Sequence, residues 1–335
     1  MSRDFVWHDA GRVVVFRAGG VVAAPRLLAE LGVAGFDLVS TPRALAAATG
    51  LAAAARAVHE VPPGQVPDLA AALLEELDGA PTLVALGGGR VIDAAKAVAA
   101  VTGAPVAAIP TTLSGAELTG IHRLPAGAED RARGPVRPGA VVADPAAMTG
   151  QPEPLLRASA MNSLAHGVDS LYTPLSSPVT ELLAARGAAA MAAALDQPRE
   201  RRDRAGLAYG SLLCAYAIDS AGFGLHHVVC QSLVRTCGTA HAETNAALLP
   251  VTAQFLAPRA PQPFSDLAAA LGTDLDGLAA RIRELGANPP GLAALGADRA
   301  CLPAAVEAIL ARPQLRNVPG PPDGREIAAL LDRAW

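Results

Sequence analysis

Residues 82–100 read TLVALGGGRVIDAAKAVAA, and their reading decides the fold of the first half of the chain. Thr82–Leu86 is a continuous apolar run of strand length, Gly87, Gly88 and Gly89 interrupt it, and an alanine-rich helical pattern follows through Ala100. A strand running into glycines and then a helix lets backbone N–H groups approach an anion at the helix N-terminus. Adjacent glycines also remove every Cβ that would block that approach. Turns of this kind recur as tight strand–helix packing without a ligand, so the motif gains weight only from its surroundings. A second loop of small polar residues supplies that support: Pro110-Thr111-Thr112-Leu113-Ser114-Gly115, after the strand Val106–Ile109. Asp93 and Lys96 stand at i and i+3 on the helix, where they can pair with each other.

Outward from this stretch, strands are expected at Gly11–Ala18, Phe36–Ser40 and Ala140–Ala143. Helical patterns lie between them at Ala23–Leu31, Pro42–Ala55 and Pro67–Leu77. Alternating strand and helix argues for a parallel sheet with helices on its faces. After Pro154 the strand patterns vanish and long helical periodicity takes over: Leu155–Tyr172, Pro178–Ala194, Ala205–Asp219, Leu225–Arg235, Asn245–Leu256 and shorter helices to Trp335. The expectation is an α/β dinucleotide-binding domain over residues 1–152 and an all-α substrate or metal domain over 153–335, with a cleft between them as the default site.

Composition bounds the function. A chain of 335 residues with 51% hydrophobic and 17% charged residues buries a large core. A net charge of −4 gives no electrostatic footprint for nucleic acid or an anionic membrane, and no apolar run reaches the length of a spanning helix. Met1–Ala10 does not read as a signal peptide. Cys214, Cys230, Cys237 and Cys301 show neither CxxC spacing nor disulfide density, so reduced thiols and a cytoplasmic location are expected. Of the 27 basic residues only Lys96 is a lysine, which points to a place where a compact ammonium is needed.

The second informative stretch is Gly222–Pro250, GFGLHHVVCQSLVRTCGTAHAETNAALLP, which holds His226, His227 and His241, three of the seven histidines. Unbroken helix would separate His227 from His241 by roughly 21 Å at 1.5 Å per residue. Gly238 breaks the pattern, so a turn at 236–240 lets the chain fold back. Upstream, Asn162 and His166 stand at i and i+4 on one helix face. The expectation is that His166, His227 and His241 meet at one point; the competing reading is polar groups scattered through a helical core.

These motifs, GGGRVIDAAKAVA (87–99), IPTTLSGAELT (109–119), ADPAAM (143–148), MNSLAHGVDSLY (161–172) and GLHHVV…ALLP (224–250), resemble in order those of the iron-containing (group III) alcohol dehydrogenase superfamily. Within it the chain is most similar to the maleylacetate reductases, with which it shares Asn162 before LAH and the His226–His227 pair. The resemblance implies a dehydroquinate-synthase-like architecture and a homodimer. It implies that Gly87, Gly88 and Gly89 hold a dinucleotide pyrophosphate, with Thr111, Thr112, Leu113, Ser114 and Thr119 along the cofactor. Arg90, where the dehydrogenases usually have Ser, either adds a phosphate contact or extends into solvent. Asp93 follows it on the cofactor helix. Thr41 and Arg43 stand where NAD-selective members often carry an acid, so NAD(H) and NADP(H) are both open.

Superfamily dehydrogenases hold Fe²⁺ or Zn²⁺ through one Asp and three His, and the matching positions here are Asn162, His166, His227 and His241. A neutral carboxamide is a poor ligand, yet three imidazoles still hold zinc with an open position. The maleylacetate reductases share this Asn and are generally regarded as not needing a metal, so a divalent metal stays open. Gln231 stands where the family commonly has another histidine, and Val228 where the maleylacetate reductases tend to carry Lys. Both then face substrate, beside Asn162 and His226, or serve only helix packing. Glu243 either orients His241 or caps the next helix.

The leading expectation is an NAD(P)H-dependent reductase of a small enone or keto-acid-like carbonyl compound. His227, His241 and His166 are the candidate catalytic groups, which stabilise an oxyanion and supply a proton. The alternatives are a non-redox member of the same fold (lyase, dehydratase or cyclase) and a non-catalytic binding protein.

Overall fold

The computed structural model describes residues 4–79 and 81–335. The chain divides into two compact units, Met1–Gly150 and Gln151–Trp335.

The first unit carries a seven-stranded sheet. Its strands are β1 (Phe5–Asp9), β2 (Arg12–Phe16), β3 (Asp37–Ser40), β4 (Ala57–Glu60), β5 (Leu83–Gly87), β6 (Val106–Pro110) and β7 (Ala140–Ala143), in the order β1-β2-β7-β6-β5-β3-β4. Only the edge pair β1–β2 is antiparallel; every other pairing is parallel. The helices are α1 (Gly20–Glu30), α2 (Pro42–Ala46), α3 (Thr49–Ala54), α4 (Val66–Glu76), α5 (Gly89–Thr102) and α6 (Pro145–Met148). Alternation along β5 divides the core between the two faces: Leu83 and Ala85 pack with α4 and α5, Val84 and Leu86 with α1.

The sequence expectations miss β1 and β4. Both alternate half-buried and exposed residues at the sheet's two edges, so neither presents a continuous apolar run. Pro42–Ala55 is two short helices, not one. The break at Ala47–Ala48 precedes Thr49-Gly50, a β-branched residue and a glycine that both weaken a helix.

The strand order positions the loops that matter. The β3–β4 connection runs toward one edge, while β5, β6 and β7 progress toward the other, so the direction of winding reverses between β3 and β5. Ligands of open α/β sheets bind outside the carboxyl ends at such a reversal. Here those ends carry Thr41 and Gly88–Gly89, and Ser40 Oγ donates to the Leu86 carbonyl at 2.7 Å, tying the two strand ends together.

The second unit is helical: α7 (Glu153–Asp169), α8 (Pro178–Leu195), α9 (Arg204–Ala221), α10 (Leu225–Thr236), α11 (His241–Leu256), α12 (Pro261–Ala270), α13 (Leu278–Leu285), α14 (Leu302–Leu310) and α15 (Gly324–Arg333). Helix α7 is its centre and packs against α8, α9, α10, α11 and α13. From Ala158 to Asp169 every residue of α7 is buried, polar ones included. A helix buried on all sides must satisfy its polar groups with other helices, and that requirement builds the site. Among the described residues no single helix is long and apolar enough to cross a membrane.

Cys237 and Cys301 form a disulfide with Cα atoms 5.5 Å apart, so the expectation of four reduced thiols is corrected. The two cysteines lie 64 residues apart, beyond any local spacing rule. With that correction goes the cysteine argument for a cytoplasmic location. Cys214 and Cys230 are free and buried.

Candidate active site

The glycine turn in the first unit is built by close approach. A Cβ on Gly88 would stand 2.9 Å from Thr112 Cγ2, and one on Gly89 would stand 3.0 Å from Ser114 Cβ. The glycines therefore let the loop after β6 lie directly against the N-terminus of α5. Gly88 caps α5 without any side-chain hydrogen bond, so the first-turn N–H groups are not satisfied by a cap. Thr112 Oγ1 is buried with no hydrogen-bond partner. An uncapped helix N-terminus beside an orphaned hydroxyl fits the pyrophosphate end of a dinucleotide.

The other residues expected there divide. Arg90 is exposed, whereas Leu113 and Thr119 are buried. The Thr41 hydroxyl already caps α2, accepting from Ala44 N at 3.3 Å. Asp93 pairs with Lys96 Nζ at 2.9 Å, and the same ammonium donates to the carbonyls of Ala116 (3.0 Å) and Ile121 (2.8 Å). Three acceptors converging on one fully buried ammonium account for the chain's single lysine. Next to it Glu117 is buried with both carboxylate oxygens unpartnered, and burial pushes its carboxyl up to about 7 against the lowering effect of Lys96.

In the second unit α7 and α10 bring His166 and His227 together as stacked rings, centroids 5.0 Å apart. Asp169, one turn after His166, fixes His227: its Oδ2 lies 2.8 Å from His227 Nδ1. The same carboxylate accepts the backbone N–H groups of His226 (3.2 Å) and His227 (3.1 Å) and the Tyr172 hydroxyl. Tyr172 Oη in turn accepts from Leu225 N at 2.7 Å. Two α7-side groups thus satisfy the first turn of α10, which has no cap of its own. Gly224 is required by that approach, since a Cβ there would lie 2.5 Å from Tyr172 Oη.

The electrostatics follow from burial. Desolvation alone would raise Asp169, but the hydrogen bond and charge of His227, with further help from His226 and Tyr172, hold its carboxyl well below the usual range. Burial, then the neighbouring Asp169 charge, pushes Tyr172 far above its ordinary value. Burial, then the His227 charge, depresses His166 well below the ordinary imidazole value, so this ring stays neutral. The same two causes push His226 down to about 3.

With Nδ1 committed to Asp169, His227 presents Nε2, which is buried and has no partner among the described residues. Asn162 Oδ1 and His166 Nδ1 are orphaned in the same way. Three unpartnered polar atoms on two adjoining helices define a place for a polar ligand group.

The other residues singled out in the sequence lie around this pair. His241 opens α11 as an exposed residue with Nδ1 3.9 Å from Cys230 Sγ, close enough that its charge helps lower both His166 and His226. Gly238 turns the chain, with φ 70°, and the turn brings His241 beside Cys230. His226 is fully buried, with its ring nitrogens 2.8 Å from Thr252 Oγ1 and 2.8 Å from Asn245 Oδ1, and Val228 is fully buried as well, so neither side chain is open to substrate. Gln231 Oε1 accepts from Arg312 Nη2 at 3.1 Å. Glu243 lies in the first turn of α11, whose start has no side-chain cap.

A divalent ion does not fit this donor set. No three His, Cys, Asp or Glu side chains among the described residues are arranged to hold a metal. Asn162 offers only a neutral carboxamide, and the Asp169 oxygens are already taken. Asp169, Tyr172, Asn245 and Thr252 are the groups that sequence reasoning passes over. The one available signal was the spacing within HGVDSLY, which puts Asp169 at i+3 from His166.

Comparison with known proteins identifies the family. Residues 13–145 match the iron-containing alcohol dehydrogenase family, and residues 157–335 match its C-terminal domain. The chain belongs to the iron-containing alcohol dehydrogenase family and is a nicotinamide-dependent oxidoreductase. Within the family it is 34% identical to a maleylacetate reductase of a Rhizobium species, over 99% of this chain and 98% of that one. The crystal structure of maleylacetate reductase from Agrobacterium tumefaciens superposes with a TM-score of 0.84 at 30% identity, covering 100% of this chain and 99% of the other. An iron-containing alcohol dehydrogenase from Corynebacterium glutamicum gives 0.83 at 31% identity, over 96% and 94% of the two chains.

Proposed function

We propose that this protein is an NAD(P)H-dependent reductase of the maleylacetate reductase group, acting on a small enone or keto-acid-like carbonyl compound. The observation that carries the reading is the Asp169–His227 pair with its orphaned Nε2, in a chain related end to end to maleylacetate reductases. A reduced nicotinamide dinucleotide, when bound, supplies the hydride. Gly87, Gly88, Gly89 and Thr112 are the residues that hold it, with Thr111, Leu113, Ser114 and Thr119 beside them.

His227 handles the proton. Its Nδ1–H donates to Asp169, which fixes the tautomer and stabilises the imidazolium, so Nε2 delivers a proton to the substrate oxygen as negative charge develops there. His166, kept neutral by burial, flanks that position without adding a second positive charge. Asn162, with its Oδ1 unpartnered, orients the substrate's polar end. The non-redox alternative draws no support from the relatives found, which are reductases and dehydrogenases by name. On the family resemblance, the working form is a homodimer in the cytoplasm and takes NADH or NADPH.

The test is to mix purified protein with NADH or NADPH and a panel of enones and keto acids, and to follow the reduced-nicotinamide absorbance. Steady loss with at least one substrate is expected. Failure of both nucleotides to bind by calorimetry refutes the proposal.

A further inference from the structure

Helix α10 presents a row of functional groups. His227, Gln231 and Arg235 are spaced i, i+4 and i+8, on one face. The helical turn Pro313–Asn317 runs beside this face, tied at both ends. Arg312 Nη2 donates to Gln231 Oε1 at 3.1 Å, and Asn317 Nδ2 donates to the Phe223 carbonyl at 2.9 Å. Phe223 itself packs edge-on against His227, centroids 6.2 Å apart. The segment therefore spans the stretch of α10 that contains His227, and Arg312 is held by Gln231, the residue one helical turn from that imidazole.

Arg312 is half-buried and its hydrogen-bond acceptors are both neutral amides, Gln231 Oε1 and, at 3.3 Å, Gln314 Oε1. No carboxylate among the described residues forms an ion pair with it. Burial and then the charge of Arg235 both disfavour its positive form. A guanidinium that is partly desolvated, feels the charge of a second guanidinium and has no ion-pair partner among the described residues is poised for an incoming anion. Its planar fork matches a carboxylate in particular.

We propose that Arg312, held by Gln231, binds a carboxylate of the substrate and so sets the specificity of this enzyme for an acid. The inference rests on the reductase reading above and adds to it the residue that selects an acid among the substrates. It also gives Gln231 a role: the residue orients a cation and does not relay a proton.

The experiment has two arms. In the first, kcat/KM is compared for 4-oxo-2-pentenoate and its methyl ester with the wild type, Arg312→Gln and Arg312→Lys. The acid-over-ester preference is expected to fall about 10- to 100-fold in R312Q, mainly through KM for the acid, with partial rescue in R312K. In the second, succinate binding is measured by calorimetry on the same proteins, with melting curves to confirm folding. Weaker binding to R312Q by about tenfold or more supports the site even if no substrate is turned over, a result that would count against the reductase reading alone. Equal succinate affinity in wild type and R312Q, no succinate binding by the wild type at millimolar concentration, or an unchanged acid-over-ester ratio overturns the proposal.

Discussion

Replacement of Asp169 by Asn is the most informative perturbation of the site. The carboxylate accepts four hydrogen bonds: from the Tyr172 hydroxyl, from the N–H groups of His226 and His227, and from His227 Nδ1. Asparagine keeps the shape but can accept on one oxygen only. If that oxygen keeps Tyr172 and His226, the new NH₂ group opposes the His227 N–H and forces Nδ1 to become an acceptor. Bonds to a charged acceptor contribute roughly 1.5–3 kcal/mol each, and an unpaired buried donor costs about 1–3 kcal/mol. A net loss of about 3–5 kcal/mol in stability follows, in the range for breaking a buried charged pair. The imidazole proton moves to Nε2 and the imidazolium loses its counter-charge. The rate of nucleotide oxidation should fall about 10²- to 10⁴-fold, with the dinucleotide affinity nearly unchanged. Stopped-flow kinetics, nucleotide calorimetry and ¹⁵N shifts of the imidazole read the three effects separately. The sign with pH is also fixed. Asp169 is held below the ordinary carboxylate range, so its contribution is complete above roughly pH 4 and is lost as pH falls through its lowered folded value. Acid should therefore destabilise the wild type more steeply than D169N. A D169N enzyme with wild-type rate and an unshifted His227 tautomer would refute the reasoning.

Three further outcomes are expected. Gly224→Ala places a Cβ 2.5 Å from Tyr172 Oη and should lower stability by about 1–3 kcal/mol in denaturant titrations while reducing activity through the displaced α10; a neutral substitution removes the packing argument. Glu117, pushed up to about 7 by burial, binds its proton more tightly folded than unfolded, so stability should decline as pH rises from about 4 to about 7 and level off above. Glu117→Gln should abolish that decline and raise the melting temperature at pH 8 relative to wild type, by an amount corresponding to about 3 kcal/mol at most. Opening the Cys237–Cys301 disulfide, which spans 64 residues, should cost about 4 kcal/mol on the chain-entropy account. Melts of the wild type with and without reductant, beside the Cys237→Ser/Cys301→Ser double variant, measure it.

Much of this protein was legible from short-range pattern. The apolar run 82–86, the three glycines and the helix after them identify themselves because strand, turn and helix signals act over a few residues. The helical second unit and the pairing of Asn162 with His166 on one face of α7 follow from periodicity alone. The same local rules explain the misses at β1 and β4, whose stability comes from neighbours in the sheet and not from their own residues.

Gly222–Pro250 shows where sequence stops. Its composition announced a histidine site and Gly238 announced the turn, yet neither fixes which neighbours each imidazole meets. The path after Gly238 is set by packing of α11 against α7 and α10, and it carries His241 to Cys230. The groups that define the chemistry come from contacts 58 and 81 residues apart, Asp169 with His227 and Gln231 with Arg312. No local signal encodes such pairs, because each is fixed by how whole helices cross. The sequence determined which elements form and which side chains are available. The tertiary structure decided which of them meet, since burying α7 on every side leaves its polar groups no partners except those that other helices bring.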